Sequence, residues 1–262
     1  GVAVSAGDQI SAANISNLVF TPAANGNGSP YDTFTFSVND GTTDSASNYT
    51  MTVNVTAVND APTVVNDTDS VTEGGTVTET TNSAGTVISD DSDTDGDSLS
   101  VSGTVTQTSA TDASGSSITI NSPNSASVGS AVTGYYGQLT LNSNGTYSYV
   151  ANQSNADALD SGESATDVFT FTVSDGTTTT SSTITFTVNG ANDAPTASDN
   201  TVTTTEDNNH TFAASEFGFT DVDGDSLDHV TIATLPSTGT LYLSGVAVSA
   251  GDQISAANIS NL

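Results

Sequence analysis

An eighteen-residue sequence occurs twice in this chain, and this repeat limits the possible folds more than any other feature. Residues 1–18 read GVAVSAGDQISAANISNL, and residues 245–262 read the same eighteen letters, at an offset of 244 residues. Identity of this length indicates a recent tandem duplication, and periodic sequences of this kind fold into arrays of similar units. The sequence therefore predicts one period of a longer repeat array, with incomplete units at both ends.

A second, weaker repeat divides the period into two modules. YDTFTFSVNDG at 31–41 resembles TDVFTFTVSDG at 166–176, and each is followed by a threonine-rich strand and an Asn-Asp-Ala-Pro linker, at 59–62 and 192–195. Division at the linkers predicts one complete module. It also predicts two partial modules, so that the domains are the C-terminal part of a module at 1–61, the complete module at 62–195 and the N-terminal part of the next module at 196–262.

Apolar residues alternate with threonine in short runs bounded by Gly, Asn and Asp, which is the pattern of half-buried strands. Many short strands with frequent turn residues predict an all-β fold class, with tandem antiparallel sandwiches of the immunoglobulin or cadherin-like kind. The sequence 137–150 predicts a hairpin with a type I′ turn at Asn144-Gly145. The predicted strands are 32–38, 48–57, 70–79, 98–105, 116–120, 137–142, 145–150, 167–174, 182–189, 200–205, 229–233 and 239–243.

The charge balance of the chain excludes several functions. It carries 30 Asp and Glu, no Lys or Arg, two His and no Cys, which gives a formal net charge of −30. Without cationic side chains there is no basic patch, so nucleic-acid binding is excluded. Membrane insertion is not predicted either, because no run of 18 apolar residues occurs. Since no disulfide can stiffen the chain, a divalent cation from the extracellular medium is the expected counter-charge.

The acidic residues concentrate in two loops. Five Asp fall within the eight positions 90–97, and three fall within the five positions 221–225. Carboxylates about 5 Å apart repel by roughly 3 kcal/mol at an effective dielectric constant of about 20, and several oxygens directed at one centre are what Ca²⁺ prefers. An EF-hand loop is the alternative for 91–96, but Ser102 stands where its bidentate Glu belongs. We therefore expect calcium in another kind of site.

The linkers, the D-x-D-G-D-S-L loops and the D-x-F-T-F-x-V-x-D-G segments occur in the same order in both modules, and the complete module also carries the hairpin at 137–150. This arrangement resembles the bacterial cadherin-like repeats of large RTX-type adhesins, and 62–195 is similar to the VCBS type of that family. The resemblance covers essentially the whole chain. It implies that calcium binds at the module junctions and stiffens a rod.

The resemblance also implies a set of ligands. At the first junction these are Asn59, Asp60, Glu73, Asp91, Asp93, Asp95 and Asp97. At the second junction they are Asn192, Asp193, Glu206, Asp221, Asp223 and Asp225. Asp40 and Asp175, in the V-N-D-G and V-S-D-G turns, are expected to contribute from the preceding module. The acidic run at 90–97 is longer than the family pattern, so the choice of metal ligands among its five Asp stays open.

The favoured interpretation is an extender repeat of a giant bacterial surface or secreted protein. Its partners would be neighbouring repeats, and it would project a distal domain of unknown ligand for attachment or biofilm formation. The alternative is a self-associating extracellular filament or matrix protein, whose split modules pair with other copies by strand addition. Carbohydrate or ice binding is less favoured. No enzyme activity is expected, because the acid pairs lack an aromatic platform and His210 and His229 lack a metal-ligand spacing.

Overall fold

The computed structural model describes residues 2–80 and 85–262, and within them the fold is all-β, as predicted. Three short 3₁₀ helices are the helical segments of this part of the chain: Ala12–Asn17, Ala214–Phe217 and Ala256–Asn261. The strands are β1 Gly28–Phe36, β2 Tyr49–Val55, β3 Asp67–Thr72, β4 Thr76–Glu79, β5 Ser100–Thr111, β6 Ser117–Ile118, β7 Ser125–Ser127, β8 Ala131–Thr133, β9 Gln138–Leu141, β10 Tyr147–Val150, β11 Ser164–Ser174, β12 Thr179–Asn189, β13 His229–Thr231, β14 Tyr242–Leu243, β15 Val246–Ala247 and β16 Gln253–Ser255.

Strands β3 to β12 form one sandwich of two sheets. The larger sheet has the order β3-β12-β11-β5-β6, with β7 beside β5, and the smaller sheet has the order β4-β10-β9-β8. The long strands β11 and β12 alternate strictly between buried and partly exposed residues. This alternation follows the Phe-Thr-Phe and Ile-Thr-Phe sequences, because successive side chains of a strand point to opposite faces.

The core of the sandwich lies between the two sheets and is rich in aromatic residues. Phe169 and Phe186 of the larger sheet meet Tyr149 of the smaller one, and all three are fully buried. The Tyr149 and Phe186 rings stack with their centroids 4.1 Å apart and an interplanar angle of 6°. Contacts of this kind fix how one sheet sits on the other, since a stacked pair tolerates little sliding.

One buried carboxylate, that of Asp167, is part of this core. Its oxygens accept hydrogen bonds from the backbone N–H groups of Tyr135, Tyr136 and Gly137, from Gln107 Nε2 and from the Tyr149 hydroxyl. Five donors saturate the lone pairs of the carboxylate, which is the condition for burying a charge. Asp167 therefore joins β11 to the loop before β9 and to β10.

The predicted strand 70–79 is two strands in different sheets. Residues Glu73–Gly75 form a tight turn in which the Gly75 N–H donates to the Thr72 carbonyl (2.9 Å) and Gly74 has a φ of 65°. Before the turn, β3 pairs in parallel with β12, with Asp67 opposite Ile184 and Thr72 opposite Asn189. After it, β4 pairs with β10. A Gly-Gly pair permits this change of sheet because glycine adopts positive φ readily.

The hairpin β9–β10 forms as predicted, but its predicted turn type is wrong. Leu141 pairs with Tyr147, and the Gly145 N–H donates to the Asn142 carbonyl (3.0 Å). Gly145 has a φ of 81°, whereas Asn144 is not among the non-glycine residues with positive φ. A type I′ turn requires positive φ at both central residues. The chain instead makes a four-residue turn that ends at a left-handed glycine.

Outside this sandwich, the chain forms smaller sheets at either end. Strands β1 and β2 make an antiparallel hairpin, and β13 pairs with β16 and β14 with β15. The C-terminal segment has a small core of Ile232, Val248, Ile254, Ile259 and Leu262. The predicted strand 200–205 is absent here, because these residues have no neighbouring strand with which to share hydrogen bonds. The module boundaries at 62 and 195 stay a prediction.

Candidate metal centre

Three carboxylates from distant parts of the sequence converge at the C-terminal end of the sandwich. Glu73, Asp193 and Asp223 each present one oxygen, and these three oxygens lie within 4.8 Å of one another. Glu73 follows β3, Asp193 lies in the linker after β12, and Asp223 lies in the second acidic loop. The three residues thus come from the sandwich, from the linker and from the segment that follows it. This group is the second-junction cluster.

Glu73 reaches this position because β3 runs parallel to β12. The Glu73 N–H donates to the Asn189 carbonyl (2.9 Å), and the Ala191 N–H donates to Glu73 Oε1 (3.0 Å). Parallel strands bring their C-terminal ends to the same edge of a sheet. The residue after β3 therefore lies beside the chain that leaves β12. The assignment of Glu73 to the first junction, together with Asn59 and Asp60, is corrected accordingly.

The linker holds the second acidic loop through hydrogen bonds of its backbone. The Asp193 N–H donates to Asp223 Oδ2 (2.7 Å), and Thr196 and Thr220 exchange two backbone hydrogen bonds of 2.8 and 2.9 Å. Pro195 lies between these contacts and imposes an extended path, since its ring fixes φ. The linker is therefore fastened to the loop on both sides of the proline.

Within the second loop, Asp221 organises the backbone. Its Oδ1 accepts hydrogen bonds from the N–H groups of Asp223 (3.0 Å) and Asp225 (3.3 Å). This arrangement is an Asx-type turn in which the first Asp holds the backbone of the loop. Asp225 has a raised pKa, chiefly because of the negative charge of Asp160 and also through burial and the charges of Asp221 and Asp223.

The first acidic loop repeats this pattern and brings together a second group, Asp93, Asp95 and Asp97, which is the first-junction cluster. Asp93 Oδ1 accepts from the N–H groups of Asp95 (2.8 Å) and Asp97 (3.3 Å), and the Asp60 N–H donates to Asp95 Oδ2 (2.7 Å). Thr63 and Ser92 form the backbone bridge that corresponds to the one between Thr196 and Thr220. Both linkers thus meet an acidic loop in the same way.

Several carboxylate oxygens in or beside these loops are buried but have no hydrogen-bond partner among the described residues. They are Oδ2 of Asp67, Oε2 of Glu73, Oδ2 of Asp91, Oδ2 of Asp93 and Oδ1 of Asp223. Burial of an anionic oxygen without a donor costs several kcal/mol in idealised transfer estimates, on the order of 2–7 kcal/mol even for a neutral polar group. The chain has no Lys or Arg that could compensate this charge. A bound cation would satisfy these oxygens.

The pKa of Glu73 reflects the same crowding. Burial is the largest cause and raises the pKa. The hydrogen bond from Ala191 opposes this rise, and the charges of Asp193, Asp223 and Asp157 add to it. A raised carboxyl pKa means that the folded chain holds this group at a cost in its ionised form. An all-oxygen set of carboxylates suits a hard divalent cation such as Ca²⁺, which accepts six to eight oxygen ligands in flexible geometry.

Asp175 lies at the first junction, and its expected place at the second is corrected. Asn59 Nδ2 donates to Asp175 Oδ2 (2.8 Å) and to Thr178 Oγ1 (3.2 Å), so the linker is fastened to the turn between β11 and β12. Hydrogen bonds from Asn59 and Thr178 hold the pKa of Asp175 well below its usual range. The turn lies at the N-terminal end of β12, whereas the second linker leaves from its C-terminal end.

The other predicted ligands occupy separate positions. Asn192 donates from its side chain to the Asp193 carbonyl, as Asn59 does to Asp60. Asp91 belongs to neither cluster. Its Oδ1 accepts a hydrogen bond from the Val65 N–H (2.8 Å). Glu206 is exposed, and its backbone carbonyl accepts from Asn208. Asp40 caps its own turn by accepting from Thr42 and Thr43, and these bonds lower its pKa to about 2.

The sequence patterns did not identify three acidic residues that the fold places near these loops. Asp67 in β3 interacts electrostatically with Asp90 and Asp91, and Asp157 and Asp160 influence Glu73 and Asp225. Asp157 also lines a surface depression with Asp193 and Asp221. No local spacing marks these residues, because each is brought to its place by a strand or loop far away in the sequence.

Among residues 2–80 and 85–262, no helix is long and apolar enough to cross a membrane. The family model of the bacterial cadherin-like domain matches residues 59–190. No curated protein matches the chain. Among solved structures, an endo-fucoidan hydrolase, MfFcnA4 from glycoside hydrolase family 107, is similar, with 20% sequence identity and a TM-score of 0.26. That match covers 61% of this chain and 19% of the hydrolase chain.

Proposed function

The chain belongs to the bacterial cadherin-like family, and from this premise we propose that it is a calcium-stiffened extender segment of a giant bacterial adhesin. The adhesin would be of the RTX type and extracellular, with a VCBS-type module at 62–195. The segment would carry no catalytic activity. Its role would be mechanical, holding a distal binding domain away from the cell for attachment or biofilm formation.

The observation that carries this proposal is the second-junction cluster. Within the described ranges 2–80 and 85–262, Oε2 of Glu73 and Oδ1 of Asp223 are buried without a hydrogen-bond donor, and both residues converge with Asp193. The three ligands belong to the sandwich, the linker and the following segment. A cation held by all three would tie these parts together, so that bending at the linker would require breaking metal–oxygen bonds.

Calcium fits this role in the extracellular medium. Affinities of extracellular calcium modules are typically about 10⁻⁴ to 10⁻³ M, so occupancy depends on the calcium of the medium. At about a hundredfold excess over the dissociation constant, one site would stabilise the folded state by about 2.7 kcal/mol. The 244-residue spacing supports an extender, because tandem copies of one segment add length without adding a new binding surface.

The test is calorimetric unfolding of the full chain and of its Glu73→Gln variant, first in EDTA and then in calcium. The amide keeps the acceptor for the Ala191 N–H but removes the charge. In EDTA, we expect the variant to be at least as stable as the wild type, because burial and then the neighbouring carboxylates disfavour the ionised form of Glu73 and raise its pKa. In calcium, the order should reverse, with the variant losing most of the stabilisation that this site supplies.

The matched control is Asp112→Asn, which removes one charge from an exposed turn where Asp112 accepts hydrogen bonds from Ser114 and Ser116. Its calcium response should equal that of the wild type, and magnesium should replace calcium poorly for all three proteins. If the midpoint of the wild type does not rise with calcium, or if Glu73→Gln responds in full, the junction site is refuted.

A further inference from the structure

The first and the last strand of the complete sandwich are neighbours, and they run in the same direction. β3 is the first strand after the linker 59–62, and β12 is the last strand before the linker 192–195. The two strands pair in parallel, and their ladder ends with Thr72 opposite Asn189. The chain therefore enters this strand pair at one end and leaves it at the other.

Hydrogen bonds outside the strand ladder lengthen this pair at both ends. Before β3, side-chain hydroxyls of β12 donate to backbone carbonyls of the entering chain, and after β3, Glu73 exchanges two hydrogen bonds with the end of β12 and the residues that follow it. The bonds are Thr180 Oγ1 to the Pro62 carbonyl (2.8 Å), Ser182 Oγ to the Val65 carbonyl (3.1 Å), the Glu73 N–H to the Asn189 carbonyl (2.9 Å) and the Ala191 N–H to Glu73 Oε1 (3.0 Å). Residues 62–73 are thus joined to residues 180–191, and this contact is the β3–β12 seam.

The two linkers leave the seam at opposite ends. Asn59 is fastened to Asp175 and Thr178, beside the N-terminal end of β12, by hydrogen bonds of 2.8 and 3.2 Å. The second linker follows the C-terminal end of β12, whose 11 residues span about 35 Å at about 3.3 Å per residue. Tension between the linkers therefore pulls β3 and β12 in opposite directions along their common axis.

This direction decides how the hydrogen bonds of the seam share a load. When two strands are pulled along each other, the bonds between them are strained together, whereas strands pulled apart from one end lose their bonds one after another. If the first and last strands were antiparallel, both linkers would lie at one end of the pair, and tension would open it bond by bond. We infer that the β3–β12 seam is a shear clamp that keeps the sandwich folded when the chain is under tension.

The clamp rests on the proposed extender role, because a chain that holds a distal domain in place carries a load. Within the described ranges, β3 is an edge strand of the larger sheet, whereas β12 also pairs with β11 from Thr179 to Asn189. β12 is thus the better held of the two strands. Tension should therefore break the seam before it removes β12 from the sheet.

The experiment is forced unfolding of single copies of the full chain in EDTA, with the direction of pulling as the variable. The chain has no Cys, so two introduced cysteines are unique attachment points. Ala61→Cys with Ala194→Cys loads the seam through the two linkers, at equivalent exposed positions. Ala61→Cys with Thr177→Cys is the matched control. Thr177 is exposed in the turn before β12, so both attachment points then lie at one end of the seam.

At equal loading rates, we expect the linker pair to need at least about twice the rupture force of the control pair, because forced unfolding is governed by the rate of unfolding and the seam resists sliding more than opening. Equal rupture forces for the two pairs, or a lower force through the linkers, would overturn the inference.

Substitutions then test whether the resistance lies in the seam. Thr180→Val with Ser182→Ala removes the two hydroxyl donors to the entering chain and leaves the strand ladder in place. The control is Thr166→Val with Thr170→Val, which removes two hydroxyl contacts between β11 and β5. When the chain is pulled through its linkers, the seam variant should rupture at a lower force than the wild type, and the control variant should not.

A general loss of stability would lower the rupture force of the seam variant equally in both pulling directions. The clamp instead requires a larger loss through the linkers, because opening from one end meets these bonds one at a time. An equal loss in both directions, or no loss through the linkers, would contradict the clamp.

The calorimetric test of the junction site and this test can fail independently. Pulling is done in EDTA, and the seam consists of hydrogen bonds within the chain. A missing calcium response would leave the clamp intact, whereas equal forces in the two directions would refute the clamp and leave the calcium site unaffected.

Discussion

At the scale of single residues, the chain's chemistry is that of carboxylates held close together without cations. Asp67 is an example that no local motif marks. Its Oδ2 and that of Asp91 are buried without a hydrogen-bond partner among the described residues. Burial, and then the charges of Asp90 and Asp91, raise the pKa of Asp67 to about 7. At a pH between these two values, 3.8 and about 7, the folded chain therefore binds a proton here that the unfolded chain has already released.

This shift predicts a pH-dependent stability. Because the folded pKa lies above the ordinary value of 3.8, the contribution of Asp67 to stability is complete below about pH 4 and is lost as the pH rises through about 7. In EDTA near pH 8, we expect Asp67→Asn to be more stable than the wild type by about 1 kcal/mol, after discounting for partial exposure. The advantage should shrink towards about pH 5. Urea unfolding at several pH values measures both.

Asp112→Asn is the control for this comparison. Hydrogen bonds from Ser114 and Ser116 lower the pKa of Asp112, so its neutralisation should give no gain at any pH. A pH-independent difference between Asp67→Asn and the wild type would contradict the predicted cause.

At the scale of elements, strand direction decides which residues meet. β3 is an edge strand that pairs in parallel with β12. Its last residue therefore lies beside the C-terminal end of β12, where the second linker begins, and not beside the first linker. The tight turn at Glu73–Gly75 then moves the chain to the other sheet. Burial of the eighteen-residue repeat also depends on its neighbours, since Ile254 is 1% exposed and the identical position Ile10 is 36% exposed.

This difference predicts unequal effects of one substitution. Ile254→Ala removes a buried side chain from the small C-terminal core and should cost about 2–4 kcal/mol. Ile10→Ala changes the same residue in the same local sequence, and should cost less than about 0.5 kcal/mol in the monomeric chain. Hydrogen exchange of residues 2–18 and of residues 245–262, measured at low protein concentration, gives the comparison. Equal effects of the two substitutions would show that burial in this structure does not determine stability.

At the scale of the whole molecule, the two acidic clusters lie at opposite ends of one sandwich. Each linker contacts an acidic loop through the same kind of hydrogen bond, in which a backbone N–H donates to a carboxylate, from Asp60 to Asp95 and from Asp193 to Asp223. Repulsion among 30 carboxylates opposes close approach of the segments when no cation is bound. The angle between segments should therefore depend on the metal at the linkers.

This dependence can be measured by small-angle X-ray scattering at low protein concentration. Calcium should narrow the distribution of interatomic distances, because the linker after Asn189 loses its freedom to bend, and magnesium should do so less. Asp223→Asn should broaden the distribution again in calcium. Asp228→Asn changes the charge equally at a highly exposed residue outside both clusters and should behave as the wild type.

Part of the site follows from local sequence alone. The alternation of Phe and Thr predicts the long strands, and the spacing of Asp in the loops predicts that several carboxylates lie close together, as Asp93, Asp95 and Asp97 do. These relations act over a few residues, so they can be predicted from the periodicity of the local sequence. The position of Glu73 at the second junction and of Asp175 at the first does not follow from spacing. It depends on the parallel pairing of β3 with β12, which is decided by packing between residues more than 100 positions apart.

The repeated eighteen residues separate the two contributions within one molecule. Both copies form the same 3₁₀ helix, Ala12–Asn17 and Ala256–Asn261, so the amino-acid sequence by itself determines this local turn. The C-terminal copy forms strands, where Gln253–Ser255 pairs with β13 and Val246–Ala247 with β14, and residues 2–18 of the other copy form none. Strand hydrogen bonds and apolar burial need a partner from elsewhere in the chain. Tertiary structure therefore decides whether the same eighteen residues are buried in a core or exposed at the surface.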